Sequence, residues 1–174
     1  SPGRNGKTLL MNVIRALAGS THATDVSSSL FMEKGKNHDG NAANKQVIDM
    51  QGARWISSDE SGDGKNMDVT TYKQITGGSA VRARISHGDW EDAKSVKGVL
   101  TMATNDPPSV RRADAAMRER MIFIPFERKP DERDSSWNPE KDIIENELPH
   151  VLAWLLEGAA KYMQAVNKIG RANV

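Results

Sequence analysis

Apolar residues at Leu9, Leu10, Val13, Ile14 and Leu17 repeat at the spacing of one helix face, and Gly19 is placed to end that helix. The pattern predicts a helix over 7–18. Residues 20–45 are rich in Ser, Thr, Asn, Gly and Lys and read as loop, with a short strand expected around the apolar break Leu30-Phe31-Met32. A helix is expected over 42–50, then a buried strand over 53–58 that runs into Asp59-Glu60, then a short helix over 66–76. Val81–Ser86 alternates as a strand does, with Arg82 and Arg84 on one face, and 87–96 reads as a turn-rich hairpin. Residues 98–104 form a second buried strand, stopped by Asn105-Asp106-Pro107-Pro108. A helix over 113–120 and a third strand over 121–126 follow. Residues 140–168 carry a helical apolar stripe of Ile143, Ile144, Leu148, Val151, Leu152, Leu155, Leu156 and Ala159. Strands alternating with helices predict an α/β layered domain with a mostly parallel sheet. The expected organisation is a core over 1–128, a charged linker over 129–139 and a C-terminal helical segment over 140–174, packed on or beside the core.

Composition narrows the chemistry. With 174 residues and no Cys, the chain is long enough for a core without staples, and thiolate metal sites and cysteine nucleophiles are excluded. No apolar run approaches the ~18 residues of a membrane span, and no signal peptide is visible, so a soluble, cytoplasmic protein is expected. The net charge of +1 is neutral on nucleic acid, because local patches bind and totals do not.

The chemistry concentrates at two places. Pro2-Gly3-Arg4-Asn5-Gly6-Lys7-Thr8 ends in Gly-Lys-Thr directly before a helix, the signature of a phosphate-binding loop. Glycines let backbone N–H groups curl around phosphate oxygens, and the helix N-terminus adds partial positive charge. Gly3, Asn5, Gly6, Lys7 and Thr8 would hold the nucleotide, with Lys7 on the terminal phosphates and the Thr8 hydroxyl on Mg2+. The motif's leading glycine would fall at Ser1, and a chance Gly-Lys-Thr at a helix start is the competing reading. Asp59 and Glu60, at the C-terminal end of a buried strand, suit a metal-binding carboxylate and a base that activates water. Two solvated charges at a loop entrance are the alternative there.

Further segments follow in order: Lys73-Gln74-Ile75-Thr76-Gly77-Gly78 with Arg82 and Arg84, a strand ending in Thr104-Asn105, and Asp114–Arg120 running into Ile122–Phe126. With Gly-Arg-Asn-Gly-Lys-Thr and Ser-Asp-Glu, this order resembles the superfamily III helicases. It is most similar to the helicase part of phage, plasmid and poxvirus type primase-helicases, and the Glu147–Gly158 tail is similar to that family's helical segment. The resemblance implies an AAA+-like P-loop ATPase using ATP and Mg2+. It would work as a ring, usually a hexamer, on single- or double-stranded DNA in a bacterial host cell, encoded by a phage or plasmid. It implies metal and water roles for Asp59 and Glu60, a polar sensor at Asn105 and an arginine finger at Arg120, with Arg118 the runner-up. A turn role for Asn105 and a surface role for the arginines are the alternatives.

The family's DNA-contacting hairpin would fall on 87–96, with His87, Lys94 and Lys97 as contacts beside Arg82 and Arg84. Asp89, Glu91 and Asp92 make that hairpin acidic, which suits phosphates poorly. Two rival readings remain: an AAA+ ATPase that remodels or loads partner proteins, and a truncated nucleotide-binding module without turnover. A small-molecule kinase would leave Asn105 and the paired arginines unexplained. Because a P-loop follows a buried strand and this loop opens the chain, a truncated core is expected, with a gap in its sheet and weak ATP binding.

Overall fold

A computed structural model of the chain describes residues 5–33, 40–58, 66–78, 80–81, 94–106, 109–110, 115–127 and 138–172, with backbone alone at 40–44, 81, 94 and 167–172. The chain divides into two compact units, Ser1–Asp131 and Glu132–Val174.

The first unit is α/β. Helix α1 spans Lys7–Ala18 and ends where the Gly19 N–H returns to the Arg15 carbonyl. Strand β1 (Ala23–Asp25) follows, inside the stretch expected to be loop. The Leu30–Phe31 apolar pair lies in a 3-10 turn, Ser28–Phe31, and not in a strand. The Ser27 side chain accepts the Ser29 N–H and so begins a turn that tucks both apolar side chains inward. Helix α2 (Gly40–Met50) leads to strand β2 (Trp55–Ser58). Helix α3 (Val69–Thr76) starts later than the periodicity suggests, because Asp68 caps it through the N–H groups of Thr70 and Thr71.

Two-residue strands β3 (Ala80–Val81) and β4 (Lys94–Ser95) pair antiparallel. Strand β5 (Val99–Met102) follows, then the one-turn helix α4 (Ala115–Arg118). Sheet order is β1-β2-β5, all parallel, with Ile56 opposite Thr24 and Leu100. Residues 121–126, expected to form a third strand, form no ladder in the described structure, and Ile122, Phe123 and Ile124 are 89%, 68% and 69% exposed. Their apolar character suits a strand, but a strand needs a neighbour to bond, and no described residue supplies one.

The main core gathers Phe31, Met50, Ile56 and Ile75 under one sheet face, and a second cluster gathers Met67, Tyr72 and Met117. Leu100 and Met102 pack against both, so β5 joins the two clusters. Gly98 precedes β5 because a Cβ there would lie 2.8 Å from the Ala53 carbonyl and 2.9 Å from Ile56 Cδ1.

The second unit is helical: α5 (Pro139–Asp142), a π-turn (Ile143–Glu147) and α6 (Leu148–Ala172). Asn138 caps α5 by accepting the Lys141 N–H at 3.1 Å, with Pro139 in its first turn. The wider π-turn sits just before Pro149, whose ring would collide with the carbonyl four residues back in a regular helix. On α6, the expected stripe residues Leu152 and Leu156 are exposed, as are Trp154 and Tyr162.

Candidate phosphate-binding site

The site begins at Gly6. Its φ of +90° is left-handed backbone that glycine adopts without strain, and it turns the chain into α1. No side chain caps this helix and its first turn holds no acidic residue, so its opening N–H groups have no carboxylate from their own turn. That is the electrostatic setting in which a helix N-terminus receives an anion.

Lys7, the first residue of α1, turns its ammonium back over this end. Its Nζ donates to Asn5 Oδ1 at 2.9 Å and to Asn105 Oδ1 at 3.0 Å. Both acceptors are neutral amides. An ammonium has three protons, so this geometry orients the charge and leaves capacity for a further acceptor. Asn5 in turn donates from Nδ2 to the Phe126 carbonyl at 2.6 Å, across 121 residues of sequence. Asn105 lies just past β5, whose end is carried by the Ala103 N–H bonding to the Ser58 carbonyl of β2. The sheet therefore sets where Asn105 stands, and Asn105 sets where Lys7 points. Thr8 lies exposed in the first turn, beside this cluster in sequence.

Of the expected site residues, the structure brings Asn5, Gly6, Lys7 and Asn105 together. Gly3, Asp59, Glu60, Arg82, Arg84 and His87 lie outside the described residues. Lys94 is in β4, and Lys97 is exposed between β4 and β5. Arg118 ends α4. Arg120 is placed against the end of α3: its Nη1 donates to the Lys73 carbonyl at 3.3 Å, and its own carbonyl accepts from the Tyr72 hydroxyl at 3.1 Å. Gly77 makes room for this contact, since a Cβ there would stand 2.5 Å from the Lys73 carbonyl oxygen and 3.3 Å from Arg120 Nη1. Burial pushes the Tyr72 hydroxyl above the ordinary tyrosine range, and the nearby Arg120 guanidinium pulls the other way.

Three features escape sequence reasoning. The Asn5–Phe126 bond has no local signal, because its partner is a backbone carbonyl that any residue could provide. Ser57, fully buried in β2, bonds Asp25 of β1, and Arg15 of α1 reaches both. This cluster clamps α1 onto the sheet and so steadies the helix that carries Lys7. Ser58, 1% exposed, keeps a buried hydroxyl with no partner among the described residues, directly before Asp59.

Among the described residues no group of three His, Asp or Glu side chains could hold a metal ion, and no helix is long and apolar enough to cross a membrane. The chain matches no family model and no curated protein.

Proposed function

We propose that this chain is the ATPase motor domain of a ring-forming DNA helicase of the phage or plasmid primase-helicase type. The observation that carries the proposal is the Lys7 ammonium, held by Asn5 and Asn105 over an uncapped helix N-terminus behind a left-handed Gly6. A lysine used only for surface charge would extend into solvent, whereas this one is bent back over the end of its own helix by two amides. In the proposed mechanism the α1 N–H groups and Lys7 bind the β- and γ-phosphates, and Thr8 takes a Mg2+ position. Asp59 and Glu60 follow β2 directly and would supply the metal ligand and the base for water. Asn105 would exchange part of its bond to Lys7 for the γ-phosphate or the attacking water. Arg120, with Arg118 second, would reach a neighbouring subunit's nucleotide and neutralise transition-state charge. Arg82, Arg84, His87, Lys94 and Lys97 would face DNA.

The test is phosphate release from ATP and Mg2+, with and without single-stranded DNA, by the chain and by Lys7→Ala. DNA-stimulated hydrolysis that survives Lys7→Ala refutes the reading. Unwinding of a forked duplex by the assembled ring then separates a helicase from an ATPase that remodels proteins.

A further inference from the structure

Arg120 is exposed, yet both its backbone and its guanidinium are held. The anchor is the end of α3. The last carbonyls of a helix have no later helical N–H to meet them, and they carry the negative end of its dipole. Two side chains supply donors there: the Thr76 hydroxyl to the Tyr72 carbonyl at 2.8 Å, and Arg120 Nη1 to the Lys73 carbonyl at 3.3 Å. The second bond is long, and at that length it does not place a flexible side chain by itself. The backbone carries the placement. The Arg120 carbonyl accepts from the Tyr72 hydroxyl at 3.1 Å, and its N–H returns to the Met117 carbonyl at 3.1 Å. Tyr72 and Met117 are buried in one cluster, so the tie runs from the core to the surface.

The charge on Arg120 is held but not neutralised. The Lys73 carbonyl that receives it is neutral, and among the described residues no carboxylate forms an ion pair with it. Only Nη1 is engaged, so the rest of the rigid guanidinium fork keeps N–H groups for an anion such as a phosphate. Surface charge alone needs no tie to the core. A cation that must meet an anion at a set place does, because a displacement of about 1 Å at a reacting group costs about a hundredfold in rate.

We propose that Tyr72 is a positioning residue for Arg120. Its hydroxyl fixes the backbone from which the guanidinium reaches the phosphates bound by a second copy of the chain. The proposal rests on the nucleotide-hydrolysing function above, and it makes Arg120, rather than Arg118, the arginine that acts in trans. Thr76 and Gly77 complete the seat: Thr76 closes the neighbouring carbonyl, and Gly77 leaves room that a Cβ would take.

The test mixes two populations of the chain with ATP, Mg2+ and single-stranded DNA. Acceptor chains carry Arg120→Ala and keep Lys7; donor chains carry Lys7→Ala and keep Arg120. Neither population hydrolyses ATP by itself, and the mixture does. Tyr72→Phe in the donor chains lowers kcat of the mixture at least about tenfold, with KM for ATP within about twofold. In the acceptor chains, where residue 120 is already alanine, it changes kcat less than about twofold. Its cost in stability falls on both populations alike, so an equal loss from both placements overturns the proposal. Full activity with Tyr72→Phe in the donors also overturns it, as does an inactive mixture of populations whose unsubstituted parent is active. The placement itself is read by nuclear relaxation of the Arg120 side-chain nitrogen Nε, whose order parameter falls below about 0.6 in Tyr72→Phe; an unchanged value overturns the proposal. An unsubstituted chain that does not hydrolyse ATP refutes the underlying function, and the proposal with it, before any mixing.

Discussion

Asn5 is the residue on which the candidate site turns, and its removal has a calculable effect. Asn5→Ala deletes a neutral bond of 2.6 Å to the Phe126 carbonyl and the acceptor of a charge-assisted bond of 2.9 Å from Lys7. A neutral bond contributes about 1 kcal/mol net, and a bond to a charged group about 1.5–3 kcal/mol. The lower end applies to Lys7, because the site is only part-buried and Asn105 still holds the ammonium at 3.0 Å. The expected loss is roughly 2 kcal/mol, read as a shift in urea denaturation of the isolated chain. Asn5→Asp separates the two contributions. It keeps an oxygen for Lys7 but sets a second oxygen against the Phe126 carbonyl. At neutral pH it should therefore remain about 1 kcal/mol or more below the parent. As pH falls through about 4, the protonated aspartate regains a donor, and the difference from the parent should shrink. Asn5→Ala within ~0.3 kcal/mol of the parent, or Asn5→Asp equal to it at pH 7, refutes the bridging role.

Other expected outcomes follow from the same geometry. Lys7→Met should weaken ATP binding at least about tenfold by loss of a charge-assisted phosphate contact, measured by calorimetry, with little change in far-UV circular dichroism. Gly98→Ala forces a Cβ to 2.8 Å from the Ala53 carbonyl, and thermal or urea unfolding should show a loss of about 1–3 kcal/mol. Tyr72→Phe removes the bond to the Arg120 carbonyl and should destabilise by about 1 kcal/mol at neutral pH. The raised Tyr72 hydroxyl stabilises the fold fully below about pH 10, where the unfolded tyrosine is still protonated, and that stability is lost as pH rises through the folded value. Denaturation against pH should therefore show a steeper alkaline fall in the parent than in Tyr72→Phe. Asp68→Ala removes the cap of α3, which accepts at 3.0 and 3.1 Å, and should lower stability by about 1 kcal/mol in the same assay.

What the sequence determined by itself is local. Helical spacing and Gly19 place α1, and Gly6 marks where it starts. The runs before Asp59 and before Asn105 are strands of four residues each in the parallel sheet, the first largely buried and the second half-buried with Val99 exposed. Where sequence reasoning failed, the deciding partner lay far along the chain at Ala23–Asp25 and close by at Leu30–Phe31. Ala23–Asp25 reads as polar loop, yet it is a strand because β2 supplies a ladder. Leu30–Phe31 reads as loop around a short strand, and the Ser27 hydroxyl closes a 3-10 turn there instead. Residues 121–126 read as a strand and form none among the described residues, because an apolar run becomes a strand only beside another. The candidate site divides in the same way. Lysine and asparagine were legible as residue types, but a glycine-rich motif carries no information about where an ammonium points. The tertiary structure decided that: β5 brings Asn105 to within 3.0 Å of Lys7, and the Phe126 carbonyl holds Asn5. Hydrogen bonds between residues 98 and 121 positions apart exist only once the sheet has brought their ends together.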